Sequence, residues 1–309
     1  MTDSYRRAQH LVSKGYQHNF ADGWRVAVLD ARTGAVIDGR RRIQENWTVD
    51  DFLSVEQPDG SLDDGLERDY ARREQRFLNE VRAIAANTVI TDKRKAAIDA
   101  LAAAHLARSQ SFAEAHRLAA MEALDEAPDR LARDPRALAA FVKQYGRAPQ
   151  AGELQAIVAA AARKFAAEPD LFPSGVRRVD AGIREMLGKW TVQLVELADT
   201  LPGLVLPDNP VLHGRRSEGR FGFRAGVAIG DADTIIVPIR RRLAALYSGQ
   251  PVATVRVTTL ASLRWINSLL LRSALTEVAC HPDDAQEVSR LIKNLDRYPP
   301  HLFDTIRIH

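Results

Sequence analysis

The chain has 309 residues, of which 46% are hydrophobic and 27% are charged. These are ordinary values for a globular protein, and they exclude the disordered, collagen-like and coiled-coil classes. The 43 Lys and Arg residues against 40 Asp and Glu residues leave a net charge of +3, which is too even a balance to indicate a nucleic-acid partner by itself. The single cysteine, Cys280, excludes a disulfide framework and an all-cysteine zinc site.

The same features predict where the protein works. Residues 1–14 lack the apolar core of a secretory signal, and no apolar run approaches the length that a membrane span needs. A lone cysteine fits a reducing compartment. We therefore expect a cytoplasmic protein that does not cross a membrane.

Strand composition comes first along the chain, and helical periodicity follows it. Residues 24–37 have the pattern of a β-hairpin with a turn at Thr33-Gly34. Apolar residues at helical spacing then predict a series of helices. These predicted helices cover residues 66–87, 92–108, 112–126, 136–145, 150–167 and 179–197, with a break at 168–175.

Short apolar strands return in the last third of the chain. They are predicted at residues 204–206, 234–238 and 253–257, and the helices that follow at 260–278 and 284–295. Because helices fill the middle and strands lie towards both ends, we predict a single, mostly helical α+β domain over residues 1–309. We expect the N-terminal hairpin and the strands near residues 204–257 to form one small mixed sheet.

Several short segments, in order along nearly the whole chain, resemble the motifs of one bacterial family. They are Gln9 to Val12 with Phe20 to Asp22, the Val26–Val36 hairpin, Glu67 with Glu74, His105 to Arg108, Trp190, Leu206 to Val211, Val237 to Ile239, and Asn267. The set is similar to the domain-of-unknown-function family numbered 4238, and the Asp-Asn-Pro-Val run is its most specific part. Ser13, His105 and Pro207 depart from the family pattern. The resemblance implies a bacterial cytosolic protein and carries no established catalytic residue.

Three of the predicted helices carry a polar residue inside the apolar stripe that faces the core. Glu74 interrupts the first stripe, His105 and Arg108 interrupt the second, and Asn267 interrupts a third near the C-terminus. A buried carboxylate must be paired, hydrogen-bonded or protonated. A buried guanidinium keeps its charge and needs an anion. These positions are therefore candidates for a polar site.

Brought together, such groups suit acid–base or metal-assisted hydrolysis of a phosphate-containing substrate. His10 is a candidate general base or metal ligand. Glu74 and Asp208 are candidate acid–base groups or ligands of a divalent metal, and Arg108 is a candidate clamp for the phosphate. The candidate catalytic residues are thus His10, Glu74, Arg108 and Asp208, and the candidate binding residues are Asn209, Asn267 and His105.

A structural alternative stays open, in which Glu74 and Arg108 form a buried ion pair that fixes helix packing. The chain would then be a non-catalytic module that binds nucleic acid or protein through its arginine-rich segments, at residues 40–42, 177–178, 215–216 and 240–242. Such runs are ordinarily solvated loops. The four tryptophans, Trp24, Trp47, Trp190 and Trp265, are too scattered for a base-stacking platform and are expected in the core.

Overall fold

The computed structural model describes residues 8–50, 52–57, 59–84, 90–166, 171–222, 225–248 and 255–298. The α-helices of this part are α1 (Lys14–His18), α2 (Gly65–Arg82), α3 (Asp92–Ala107), α4 (Gln110–Ala132), α5 (Pro135–Tyr145), α6 (Glu153–Ala166), α7 (Leu171–Gly188), α8 (Leu260–Leu271) and α9 (Ala285–Lys293). The strands are β1 (Ala8–His10), β2 (Arg25–Asp30), β3 (Val36–Arg42), β4 (Thr48–Asp50), β5 (Val55–Glu56), β6 (Leu62–Asp63), β7 (Thr191–Leu197), β8 (Leu206–Pro207), β9 (Leu212–Arg215), β10 (Arg220–Phe221), β11 (Thr234–Arg240), β12 (Leu243–Ser248), β13 (Val255–Val257) and β14 (Glu277–Cys280). The α+β prediction is confirmed.

The larger sheet has six strands in the order β10-β9-β11-β12-β7-β13. Its pairs are antiparallel except β13, which runs parallel to β7. Strands β11 and β12 are buried along almost their whole length. Both faces of these strands are therefore covered, and their sequences are continuous apolar runs instead of alternating ones.

The smaller sheet has four strands in the order β3-β2-β14-β8. The N-terminal hairpin shares this sheet with Leu206–Pro207, as expected, but the strands from Leu212 onwards form the six-stranded sheet instead. Strand β14 lies between the hairpin and β8 and pairs with both. The predicted arrangement lacks this bridging strand, because the helix predicted over residues 260–278 includes its first two residues.

Two predicted helices extend over segments that form strands. The helix predicted to run to Leu197 ends at Gly188, and Thr191–Leu197 forms β7 in the interior of the six-stranded sheet. The helix predicted to run to Val278 ends at Leu271, and β14 follows it. Both strands are rich in buried apolar residues, and in short runs of that kind periodicity does not separate helix from strand.

Smaller boundaries also differ from the predictions. The strand expected to stop at Pro238 continues to Arg240. Strand β9 pairs with β11 only as far as Ile236, so the proline, which has no amide hydrogen to donate, needs no strand partner on that side. Helix α7 begins at Leu171, inside the predicted break. The helix predicted to run to Asn87 ends at Arg82, and the predicted strand start at Ala253 lies outside the described residues.

Helix α3 is the central helix of the fold. Every residue from Ala97 to Ala107 is buried, and the helix packs between α2 and α7. Its many alanines allow this close approach on all sides, because they add little volume. The main core cluster joins residues from Leu11 to Ile292. None of the described helices is long and apolar enough to cross a membrane.

Candidate functional site

A pocket of about 360 Å³ opens where α1, α2 and the end of α3 meet. Its volume falls in the range of about 300–1,000 Å³ that is typical of small-molecule sites. Its lining residues are His10, Ser13, Lys14, Gly15, Glu67, Ala71, Glu74, Gln75, Leu78 and Arg108. Three of the four predicted catalytic residues, His10, Glu74 and Arg108, therefore line one pocket.

Arg108 forms the inner wall of this pocket. It follows the last residue of α3, and its side chain is only 3% exposed. One guanidinium nitrogen lies 3.4 Å from Glu74 Oε1, a longer distance than the 2.7–2.9 Å or so of a strong charge-assisted hydrogen bond. The buried Nε atom has no hydrogen-bond partner among the described residues. The guanidinium thus has donor capacity that the protein does not use.

Two features make this buried cation tolerable. Arg108 lies at the C-terminal end of α3, where the partial negative charge of the helix dipole favours a cation. Its guanidinium carbon also lies 5.6 Å from the centre of the Tyr70 ring, a cation–π distance. Neither feature supplies a hydrogen-bond acceptor to Nε. An anion in the pocket would meet only the part of the guanidinium that lines it.

His10 is at the end of β1, and its imidazole is half-buried at the pocket edge. Nδ1 lies 3.0 Å from the Asn46 carbonyl oxygen, which can only accept, so Nδ1 carries the proton and Nε2 has the free lone pair. The pKa of His10 is lowered to about 4, first by burial and then by the nearby cations Lys14 and Arg108, whereas the hydrogen bond with the Asn46 carbonyl opposes them. The ring is therefore neutral at neutral pH and can accept a proton.

The short helix α1 supplies residues that the sequence analysis missed. Ser13 caps the helix by accepting a hydrogen bond from the Tyr16 amide, and Lys14 follows it at the pocket rim. A Cβ at Gly15 would overlap the Leu78 side chain, so glycine allows α1 to approach α2 and close this side of the pocket. Five residues are too few to show a helical period, although the Ser-Lys-Gly sequence contained a capping signal.

The other candidate carboxylate, Asp208, lies outside the pocket lining. Its two oxygens accept hydrogen bonds from the amides of Leu275, Thr276 and Glu277 and from the Thr276 hydroxyl, at 2.7–3.1 Å. Those donors fix the loop that leads into β14. The carboxylate is fully satisfied by the protein, so we do not retain Asp208 as the second carboxylate of the site.

The candidate binding residues Asn209 and Asn267 are buried elsewhere in the fold. Asn267 accepts a hydrogen bond from the Val205 amide at 3.1 Å and donates one to the Gly203 carbonyl at 3.0 Å. It therefore holds the segment before β8 against α8. Asn209 donates to the Ser111 hydroxyl at 3.3 Å, which joins the turn after β8 to the start of α4.

His105 is completely buried one turn before Arg108 on α3. Its ring lies against the Tyr16 ring, with 4.8 Å between the centres, and neither ring nitrogen makes a hydrogen bond of good geometry. Burial holds the pKa of His105 well below its usual value, with Arg108 as the second cause and the Leu11 backbone opposing them. The neutral ring is not part of the pocket lining, so a direct ligand contact is not supported.

The pocket offers a small set of chemical functions. It contains two cations, Lys14 and Arg108, two carboxylates, Glu67 and Glu74, and one neutral imidazole, His10. Across the described ranges, no group of three or more His, Cys, Asp or Glu side chains could hold a metal ion. Of these groups, the two cations can bind an anion and the neutral imidazole can accept a proton.

Comparison of the chain with known protein families, curated proteins and solved structures finds no match. The resemblance to family 4238 stays a prediction. The class of this protein must accordingly be argued from the chemistry of its pocket.

Proposed function

We propose that this chain is a hydrolase that acts on a small phosphate-containing substrate in the pocket between α1, α2 and α3. The observation that carries the proposal is Arg108, whose buried guanidinium has an unpartnered Nε at the wall of a ligand-sized pocket. An unused donor of this kind is costly to bury, and such strain is typical of binding and catalytic sites.

Substrate binding is the role of the two cations. Arg108 can offer its guanidinium to two phosphate oxygens at once, and its long contact with Glu74 leaves room for that exchange. Lys14 at the rim adds a mobile positive charge to the same anion. The substrate phosphate would thus bind Lys14 and the part of the Arg108 guanidinium that lines the pocket.

His10 is the general base of the proposal. Its pKa of about 4 in the free protein makes it a weak base; burial is the largest cause of this low pKa, and the charges on Lys14 and Arg108 add to it. A bound phosphate offsets both charges, so its arrival raises the pKa of His10 towards neutrality, where a general base works best. The substrate itself therefore prepares the base.

The reaction that follows is attack of water on phosphorus. His10 Nε2 takes the proton of the water as its oxygen bonds to phosphorus, and the bond to the leaving oxygen breaks with its electron pair. Glu74 is the acid–base partner that holds the water or the leaving group. Arg108 stabilises the charge that develops on the phosphoryl oxygens.

The test is phosphate release from a panel of phosphomonoesters and phosphodiesters, with and without added divalent metal. We expect His10→Gln to lower kcat by about 100-fold or more, and Glu74→Gln to lower it as well. The matched control is Glu185→Gln, at an exposed position on α7. Absence of any hydrolysis by the parent chain, or full activity of His10→Gln, would contradict the proposal.

We also propose a cytoplasmic location for this activity. Cys280 is a buried free thiol on β14, and burial raises the pKa of that thiol well above its usual value. An inert packed thiol and a chain without disulfides fit a reducing compartment. Fractionation of the cells that produce the protein tests this point.

A further inference from the structure

A second concave surface lies on the N-terminal hairpin, away from the hydrolase pocket. It has a volume of about 510 Å³, and its lining includes Trp24, Arg25, Arg40 and Arg42. We call it the arginine groove. The lining also contains two acidic residues, Asp22 and Glu45, so it carries three positive and two negative side chains.

The structure corrects the expectation that the Arg40–Arg42 run is a solvated loop. All three residues belong to β3, the edge strand of the four-stranded sheet. Side chains alternate along a strand: Arg40 and Arg42 line the groove, whereas Arg41 turns away and pairs with Glu277 at 3.3 Å. The strand thereby directs two of three consecutive arginines to one surface.

The charges of the groove are not fully balanced. A guanidinium nitrogen of Arg40 lies 2.6 Å from a carboxylate oxygen of Asp22, and this ion pair balances its charge. Arg25 instead donates a hydrogen bond to the carbonyl oxygen of Arg40, at 2.8 Å. Arg25 and Arg42 are direct cross-strand partners, and like charges in this relation destabilise a sheet. Neither has an ion pair within the described ranges. An anion bound between them would remove the repulsion.

An aromatic surface adjoins these two arginines. Trp24 was expected in the core, but it is 58% exposed. The ring of His18, the last residue of α1, contacts the indole edge-on with 4.7 Å between centres. This contact restricts the orientation of the Trp24 indole and leaves much of its surface open to solvent. An exposed tryptophan next to cationic side chains is the combination that binds an unpaired base beside its phosphate.

We propose that the arginine groove binds single-stranded nucleic acid, with a phosphate between Arg25 and Arg42 and a base stacked on Trp24. A free inorganic anion would use only the arginines, and a duplex would keep its bases stacked away from the indole. The groove and the hydrolase pocket lie at opposite ends of α1, which is about 7.5 Å long at 1.5 Å per residue. The binding proposal does not depend on hydrolysis.

The experiment is fluorescence anisotropy of a labelled 12-nucleotide oligo-dT with the full chain at 50 and 200 mM salt. We expect Trp24→Ala to weaken binding about tenfold, and Arg42→Gln to weaken it and to reduce the salt slope by about 0.7. Arg72→Gln, an exposed arginine on α2, is the matched control and keeps parental affinity. Circular dichroism checks that each variant is folded.

Three results would overturn the proposal. The first is no binding by the parent chain at 50 mM salt, and the second is parental affinity in both groove variants. The third is an affinity for the duplex, or for a mononucleotide, that equals the affinity for the single-stranded oligonucleotide. The groove would then not select an extended single strand. Activity in the phosphate-release assay affects none of these outcomes.

Discussion

Two buried charged side chains that the sequence indicated as candidate catalytic residues have opposite surroundings. The carboxylate of Asp208 accepts four hydrogen bonds from one loop, whereas the Nε atom of Arg108 has no partner in the described structure. A satisfied buried charge stabilises its surroundings, and an unsatisfied one lowers stability. The first residue is thus a part of the scaffold, and the second is an incompletely satisfied cation that lines the candidate pocket.

The surroundings of Asp208 predict a large effect of its removal on stability. Asp208→Asn loses the charge and replaces one acceptor oxygen with an amide that faces backbone donors. We expect the free energy of unfolding to fall by about 3 kcal/mol, measured by urea denaturation. Asp199→Asn, at a position 95% exposed, is the control and should stay within about 0.5 kcal/mol. Equal effects of the two changes would refute the scaffold role.

For His10 the prediction concerns its response to a ligand. Histidine ring signals followed by NMR should give a pKa of about 4 for His10 in the free protein. Saturation with inorganic phosphate should move this pKa upwards, because the anion offsets Lys14 and Arg108. An unchanged pKa with phosphate bound would place the anion outside the pocket.

The same histidine predicts a pH dependence of stability. Its pKa falls from 6.5 in the unfolded chain to about 4 in the folded one, so the unfolded state binds more protons in this window. The free energy of unfolding therefore falls as the pH is lowered from 6.5 to 4. His10→Gln should lose less stability over that range than the parent chain. His105 and His213 also have lowered pKa values, but their contribution to the pH dependence is the same in the parent chain and the variant. Parallel curves would contradict the low pKa.

At the scale of elements, a small polar network joins α3 to the six-stranded sheet. Asp99 on α3 accepts a hydrogen bond from the Tyr247 hydroxyl on β12 at 2.7 Å and one from Lys95 Nζ at 2.8 Å. Lys95 also donates to the Leu187 carbonyl at 2.6 Å, at the end of α7. Three elements are thus held in register around the helix that ends at Arg108.

This network predicts a stability loss for Tyr247→Phe. The change removes one donor from Asp99 and leaves the ring volume in place, so we expect about 1–2 kcal/mol less stability in urea denaturation. Tyr145→Phe, at an exposed position on α5, is the matched control with no measurable loss. If the two variants unfold alike, the hydroxyl of Tyr247 does not hold α3 to the sheet.

The sequence predicted local elements well where periodicity was unambiguous. Helices α2, α3 and α5 and the β2–β3 hairpin begin close to their predicted positions, and Thr91 caps α3. Strands β7 and β14 were missed because each is a short, mostly buried segment directly after a helix. Their strand state depends on pairing with segments distant in sequence, and no local pattern records such pairing.

At the scale of the whole molecule, the candidate site is assembled from segments far apart in the chain. The apolar stripes of α2 and α3 correctly indicated Glu74 and Arg108 as polar residues at a helix interface. The stripes did not indicate which residues would meet, so Lys14 was missed and Asp208 was included. The distinction between a satisfied and an unsatisfied buried charge requires the three-dimensional hydrogen-bond network.

The molecule therefore presents two concave surfaces with arginine side chains, one on either side of α1. The pocket has a buried arginine with unused donors and a neutral histidine. The arginine groove has opposed arginines and an exposed indole. Both surfaces suit ligands that contain phosphate, and the first is the centre of the account because its residues also suit hydrolysis.

The most direct test is the melting temperature of Arg108→Met with and without inorganic phosphate, with Arg72→Met as the control. Methionine fills the space without a buried charge, so we expect an unchanged or higher melting temperature. We also expect phosphate to stabilise the parent chain and the control more than Arg108→Met, in which only the arginine groove can still bind the anion. A structural ion pair would instead cost about 3–5 kcal/mol, or roughly 10 °C. Such a drop, with no effect of phosphate on the melting temperature of the parent chain, would contradict the proposal that Arg108 binds the substrate phosphate.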